Sequence, residues 1–175
     1  MNKDIISTLN DSFGNSTFAS PPKLTESKTI SFSNSKYLHR SSGKNPAKSP
    51  RIALLGCGYW GKNLARNFYN LEALKLVCDP SGAGRESARE KVPGVAVSCE
   101  FRDAIQAREI EAVVIATPAE THFELAAAAL KAGKDVFVEK PMALKVDDGL
   151  LLQRLADENE RILMVGHLLE YHPAV

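Results

Sequence analysis

The chain has 175 residues, is 44% hydrophobic and 25% charged, and carries a formal net charge of +1. That balance fits one globular domain with residues to spare. It supplies no global field to pull the chain onto nucleic acid or an anionic membrane, and no apolar run approaches the ~20 residues that span a bilayer.

Residues 1–49 are dominated by Ser, Asn, Lys, Thr and Pro, include Pro21-Pro22 and run into SSGKNPAKSP. Such a stretch cannot bury enough apolar surface to offset a chain entropy of ~1–2 kcal/mol per residue. A disordered extension is expected, with a docking or targeting arm as the functional alternative. The stretch lacks the apolar block of a secretory signal. Asp4, Asp11 and Glu26 interrupt it and Arg40 is its only arginine, which argues against a transit peptide and for the cytosol.

From Arg51 the pattern changes, and residues 50–175 read as one domain. Arg51–Leu55 (RIALL) is a short apolar strand that stops at Gly56. Trp60–Asn70 places Leu64, Ala65 and Phe68 on one helical face. Leu74–Cys78 is a second strand, Gly84–Lys91 a short polar helix, Val95–Val97 a weak strand and Phe101–Arg108 a helix. Ala112–Ala116 (AVVIA) is a buried strand, followed by an alanine-rich helix over Pro118–Ala132. Asp135–Val138, Val146–Asn159 and Ile162–Val165 complete a strand, helix and strand. Continuous apolar strands alternating with helices indicate a parallel sheet covered on both faces, a doubly wound α/β fold of the Rossmann type.

Gly56-Cys57-Gly58-Tyr59-Trp60-Gly61 is a G-x-G-x-x-G set where a strand hands over to a helix. In that context Gly56 permits the tight turn, Gly58 lets a pyrophosphate approach bare backbone, and Gly61 lets helix and strand pack closely. The helix N-terminus offers N–H groups and a positive dipole end to the phosphates. Asp79 ends the second strand at roughly the twenty-residue spacing of the ribose-binding acid. Its charge opposes a 2′-phosphate, favouring NAD over NADP, although Arg85 and Arg89 nearby soften that preference. A methyltransferase binding S-adenosylmethionine also places an acid here.

Two further strand ends carry chemistry. After AVVIA, Thr117 and Glu120 form a capping-box pattern with Pro118 at the first helical position. His122 follows, either as a hydrogen-bonded first-turn residue or as a cofactor contact. After DVFV come Glu139-Lys140-Pro141. A lysine at a sheet mouth acts as a proton-transfer group when desolvation lowers its pKa, or stays charged and hydrogen-bonds a substrate hydroxyl. His167 stands at the end of the last strand, with a substrate role or a local structural one. Cys57, Cys78 and Cys99 form no metal-ligand spacing and read as reduced thiols packed as small apolar side chains.

Taken together, GCGYWGKN, Asp79, ATPAETHFELAAAALKAGKDVFVEKPMAL and VGHLLEYHPAV resemble the Gfo/Idh/MocA oxidoreductases, from Arg51 to Val175. GYWGKN and GHLLEYHPA look most like members acting on nucleotide-linked amino sugars, such as UDP-N-acetylglucosamine 3-dehydrogenases. The resemblance implies NAD(P)-dependent interconversion of a hydroxyl and a ketone on a sugar or nucleotide sugar. It implies that Gly56, Gly58, Tyr59, Trp60 and Gly61 cradle the pyrophosphate and Asp79 holds the adenosine ribose. Thr117, Pro118 and His122 then line the cofactor cleft, with Glu139 near the nicotinamide ribose. Lys140 becomes the catalytic or substrate-positioning lysine, and Lys140–Pro141 a candidate cis bond. Family members continue into an α+β substrate domain that often supplies a catalytic histidine. That domain is expected to be missing here, so neither His167 nor His172 takes the histidine's role.

Three readings follow. The first is the NAD-binding half of a sugar oxidoreductase that is a homo-oligomer at full length. The second is a truncated module that binds NAD without turnover. The third is a methyltransferase-like domain, disfavoured by Glu139-Lys140-Pro141 and by the third glycine.

Overall fold

The computed structural model describes residues 49–167. The expected extension (apart from Ser49) and Tyr171-His172-Pro173 lie outside the described residues. Within them, strands and helices alternate. The strands are β1 (Ile52–Leu55), β2 (Leu74–Cys78), β3 (Ala96–Ser98), β4 (Ala112–Ile115), β5 (Asp135–Glu139) and β6 (Leu163–Gly166). The helices are α1 (Gly61–Asn70), α2 (Gly82–Lys91), α3 (Phe101–Gln106), α4 (His122–Lys131) and α5 (Val146–Glu158).

All strand pairings are parallel, in the order β3-β2-β1-β4-β5-β6. The strand order reverses between β1 and β4, which is where sheets of this kind open a ligand crevice beyond the strands' carboxyl ends. The Rossmann expectation is met, and the reason lies in the strands. All four residues of β1 are buried because both faces are covered. Ala53 and Leu55 pack with residues of α3, α4 and α5, and Ile52 and Leu54 with residues of α1 and α2. Four consecutive alanines of α4, Ala126–Ala129, are all buried, as their small side chains fit between neighbouring surfaces. Cover thins toward β6, where Met164 is 44% and the preceding Ile162 56% exposed.

Element boundaries moved for identifiable reasons. Helix α2 starts two residues before the expected Gly84, because Ser81 caps it by accepting the Gly84 N–H. The capping box at Thr117 and Glu120 does not form. Pro118 is extended (φ −58°, ψ 143°), so a 3₁₀ turn over Ala119–Thr121 precedes α4 and no side chain caps either start. Thr121 Oγ1 instead lies 2.7 Å from Thr117 Oγ1 and 2.8 Å from the Pro118 carbonyl.

At the opposite end of the sheet, Lys134 is 6% exposed and its ammonium donates to the carbonyls of Ala107 and Ile110 at 2.6 and 2.8 Å. Ala107 is the C-cap of α3, so the charge meets the negative end of that helix. Burial lowers the Lys134 pKa, with the Glu109 charge opposing.

The cysteines divide. Cys57 and Cys78 are buried as expected, but Cys99, just past the edge strand β3, is exposed. Burial raises the Cys57 thiol, helped by the Asp79 charge, and pushes Cys78 up to about 12. The folded chain keeps these protons where the unfolded chain, at the ordinary 9.0, releases them. The Cys78 contribution to stability is whole below pH 9 and is lost as pH rises toward 12, and Cys57 acts in the same direction. Lys134 acts in the opposite sense just below its ordinary value, so the thiol effect is isolated by substitution. Iodoacetamide at neutral pH should label native Cys99 well before the other two, read by mass spectrometry. In urea titrations, Cys78→Ala should flatten the fall in midpoint above pH 9.

Candidate functional site

The site begins where β1 ends. Gly56 has φ +88°, and a Cβ there would lie 2.8 Å from the Ala116 carbonyl oxygen, so a side chain is excluded by conformation and by space. Gly56 N–H donates to Cys78 O at 2.8 Å, extending the β1–β2 ladder by one residue. The next N–H, of Cys57, turns to Asp79 Oδ2 at 2.7 Å. A Cβ at Gly61 would lie 2.2 Å from the Gly56 carbonyl oxygen, so α1 starts pressed against the turn. Gly58 is different: a Cβ there would meet nothing within 4 Å. Among the described residues the N–H groups of Gly58, Tyr59 and Trp60 have no partner, and no side chain caps α1. The loop thus presents open donors at a helix N-terminus over an empty approach, the shape and polarity an anionic diphosphate requires.

Asp79 is 7% exposed. Besides the Cys57 N–H, its carboxylate accepts the Ser81 N–H at 2.8 Å and the Ser81 hydroxyl at 2.7 Å, both on Oδ1. Of about four acceptor positions on a carboxylate, one is left for a ligand hydroxyl. Gly84 makes room, since a Cβ there would sit 2.2 Å from Asp79 Cγ. Arg85 donates to the carbonyls of Asp79 and Pro80 at 3.0 and 2.9 Å, and Arg89 pairs with Glu86 on the outer side of α2.

The β4 and β5 mouths are tied together by His122, which is 2% exposed. Its ring nitrogens face the carbonyl oxygens of Pro141 (Nδ1, 2.7 Å) and Thr117 (Nε2, 2.9 Å). Both partners are acceptors, so no ring nitrogen is left for a ligand. Of the two readings of His122, the contacts present are those of a hydrogen-bonded first-turn residue, made to the loops after β4 and β5. Lys140–Pro141 is cis, as anticipated. Glu139 is 8% exposed, while Lys140 is exposed and its ammonium has no partner among the described residues. The Trp60 indole N–H donates to Glu139 Oε1 at 2.6 Å, joining the glycine loop to the Glu-Lys-Pro segment. His167, at the end of β6, is exposed, and its N–H donates to Val165 O at 2.8 Å.

Residues 50–167 match the model of an oxidoreductase family with an NAD-binding Rossmann fold, GFO_IDH_MocA. The chain belongs to the Gfo/Idh/MocA family. It is 32% identical over 130 residues to UDP-N-acetylglucosamine 3-dehydrogenase of Acidithiobacillus ferrooxidans, covering 71% of this chain and 39% of that one. With scyllo-inositol 2-dehydrogenase (NAD(+)) of Bacillus subtilis it shares 33% over 131 residues, covering 71% and 37%. The structure of scyllo-inositol dehydrogenase from Lactobacillus casei with NAD(H) and scyllo-inositol is similar at TM-score 0.66 and 25% identity, covering 73% of this chain and 38% of that one. Biliverdin reductase from Synechocystis, in complex with biliverdin and NADP+, is similar at TM-score 0.60 and 32% identity, covering 67% and 37%. The chain spans well under half the length of these relatives. No helix among the described residues is long and apolar enough to cross a membrane.

The Gfo/Idh/MocA residues picked out in the sequence fall along one sheet edge, as carboxyl-terminal strand ends must. The residues that hold them were not picked out. Ser81 and Gly84 seat Asp79, and Gly166 leaves space for Glu139, whose carboxylate a Cβ at 166 would approach to 3.0 Å. Asp-x-Ser-x-x-Gly after β2 was the available signal for the first; nothing local marks the second. Gly61→Ala should cost at least ~3 kcal/mol, because backbone must yield to backbone. Gly84→Ala should cost ~1–3 kcal/mol by displacing a side chain only. Thermal unfolding followed by circular dichroism checks both values and their order.

Proposed function

We propose that this chain is the cofactor-binding half of an oxidoreductase that transfers hydride between NAD and a carbinol carbon of a sugar or nucleotide sugar. The observation that carries the reading is the Trp60–Glu139 hydrogen bond, which brings the phosphate-cradling loop and the Glu-Lys-Pro segment into one cleft. The open N–H groups of Gly58, Tyr59 and Trp60 would hold the pyrophosphate, and the remaining lone pair of Asp79 the adenosine ribose. Thr117 and Pro118 would line the cleft with Tyr59. When bound, the nicotinamide supplies the hydride acceptor or donor. Lys140, with its ammonium unpaired, would hydrogen-bond the reacting hydroxyl and polarise its O–H bond.

NAD is favoured over NADP by the Asp79 charge and by the engagement of Arg85 and Arg89 elsewhere. Solved neighbours carry either cofactor, so this choice rests on local residues alone. The sugar class rests on relatives such as the UDP-N-acetylglucosamine and inositol dehydrogenases. Because those relatives extend far beyond the matched stretch, the substrate is read as chosen by residues outside it.

Gly58→Ala should leave thermal stability unchanged and weaken NADH about tenfold, equivalent to ~1.4 kcal/mol, in a fluorescence titration. Unaltered binding in that variant would overturn the reading, as would saturable S-adenosylmethionine binding in place of NADH. Asp79→Ala should weaken NADH more than NADPH; the ratio of the two affinities corrects for any loss of fold.

A further inference from the structure

Glu139 and Trp60 form a unit that neither the glycine motif nor the Glu-Lys-Pro motif explains. Trp60 precedes α1 at the β1 mouth, and Glu139 ends β5. Strand β4 lies between β1 and β5 in the sheet, so the contact joins the mouths of two strands that are not neighbours. The indole N–H, a donor only, meets Glu139 Oε1 at 2.6 Å. From the other side, Gly166 stands opposite Glu139 in the β5–β6 register, and a Cβ there would come to 3.0 Å from Oε1 and 3.1 Å from Oε2. The carboxylate is thus held between one donor and a missing side chain. Among the described residues Oε2 has no partner.

We propose that Trp60 is a positioning residue for Glu139: its indole N–H fixes one carboxylate oxygen so that the other is presented to a ribose hydroxyl on the nicotinamide side of the cofactor. The proposal rests on the dinucleotide reading above and goes beyond it. A Trp60 that only packs under the pyrophosphate would act on any diphosphate ligand equally. A Trp60 that acts through Glu139 discriminates between a ligand that reaches the β5 mouth and one that ends at the diphosphate. ADP has the adenosine ribose and the diphosphate but no second ribose; NADH has both riboses.

The test uses the full 175-residue chain. Trp60 is its only tryptophan, so the indole N–H gives a single cross-peak in a ¹H–¹⁵N correlation spectrum. Without ligand, that peak should stand downfield of a free indole and move upfield in Glu139→Gln. A wild-type peak at the free-indole position, unmoved by Glu139→Gln, overturns the contact itself, whatever the chain binds. Trp60→Phe keeps a ring and removes the donor; the side chain is 40% exposed, so the fold should tolerate it. That variant should bind NADH at least fivefold more weakly and ADP within twofold of wild type. Combining it with Glu139→Gln should bring no loss beyond the larger single effect. Equal losses for ADP and NADH, or additive losses in the double variant, overturn the positioning role. Wild-type binding of ADP but not NADH would overturn the dinucleotide reading and the ribose assignment together, while leaving the indole–carboxylate contact to the spectrum.

Discussion

Helix α1 can begin where it does only because two backbones touch. The Gly61 Cα lies so close to the Gly56 carbonyl that a methyl group would fall 2.2 Å from its oxygen. That approach fixes the start of the helix relative to β1, with the N–H groups of Gly58, Tyr59 and Trp60 left open in the turn before it. It also sets Cys57 so that its N–H reaches Asp79. A looser turn would break the Asp79 bond and let side chains or water fill the space above Gly58. The open donors of the loop are therefore a by-product of close packing, not of any single polar side chain.

Buried charge follows the same logic at the rim. Asp79 and Glu139 are each less than a tenth exposed, and each is held by neutral donors: two N–H groups and a hydroxyl in one case, an indole N–H in the other. Hydrogen bonds of this kind repay the loss of water around a carboxylate without cancelling its charge. Glycine is the matching element in both places, Gly84 beside Asp79 and Gly166 beside Glu139.

His122 and Lys134 show polar groups used as struts. His122 ties the β4 and β5 loops at the ligand end of the sheet, and Lys134 ties the α3 end to the loop before β4 at the other. Each meets two backbone carbonyls from segments that are apart in the fold or at a helix end. The rim that bears Lys140 is thereby held by bonds to main chain, leaving its own ammonium uncommitted.

The sequence by itself determined the fold. Apolar runs of four or five residues, separated by helical periods, leave a covered parallel sheet as the packing that buries RIALL, LKLVC and AVVIA. It also marked the glycine loop and Asp79 as candidate site residues, because that signal is residue type at fixed chain spacing next to a strand end. The sequence pattern at Thr117 and Glu120 misled, since a capping box is a local motif and the extended Pro118 overrode it. Only the tertiary structure decided that His122 faces two carbonyls, that Cys99 is exposed, and that Trp60 meets Glu139 across β4. Trp60 and Glu139 stand 79 residues apart in the chain. Their encounter depends on strand order and register, which arise from the packing of all the elements at once and leave no trace in either residue's neighbours.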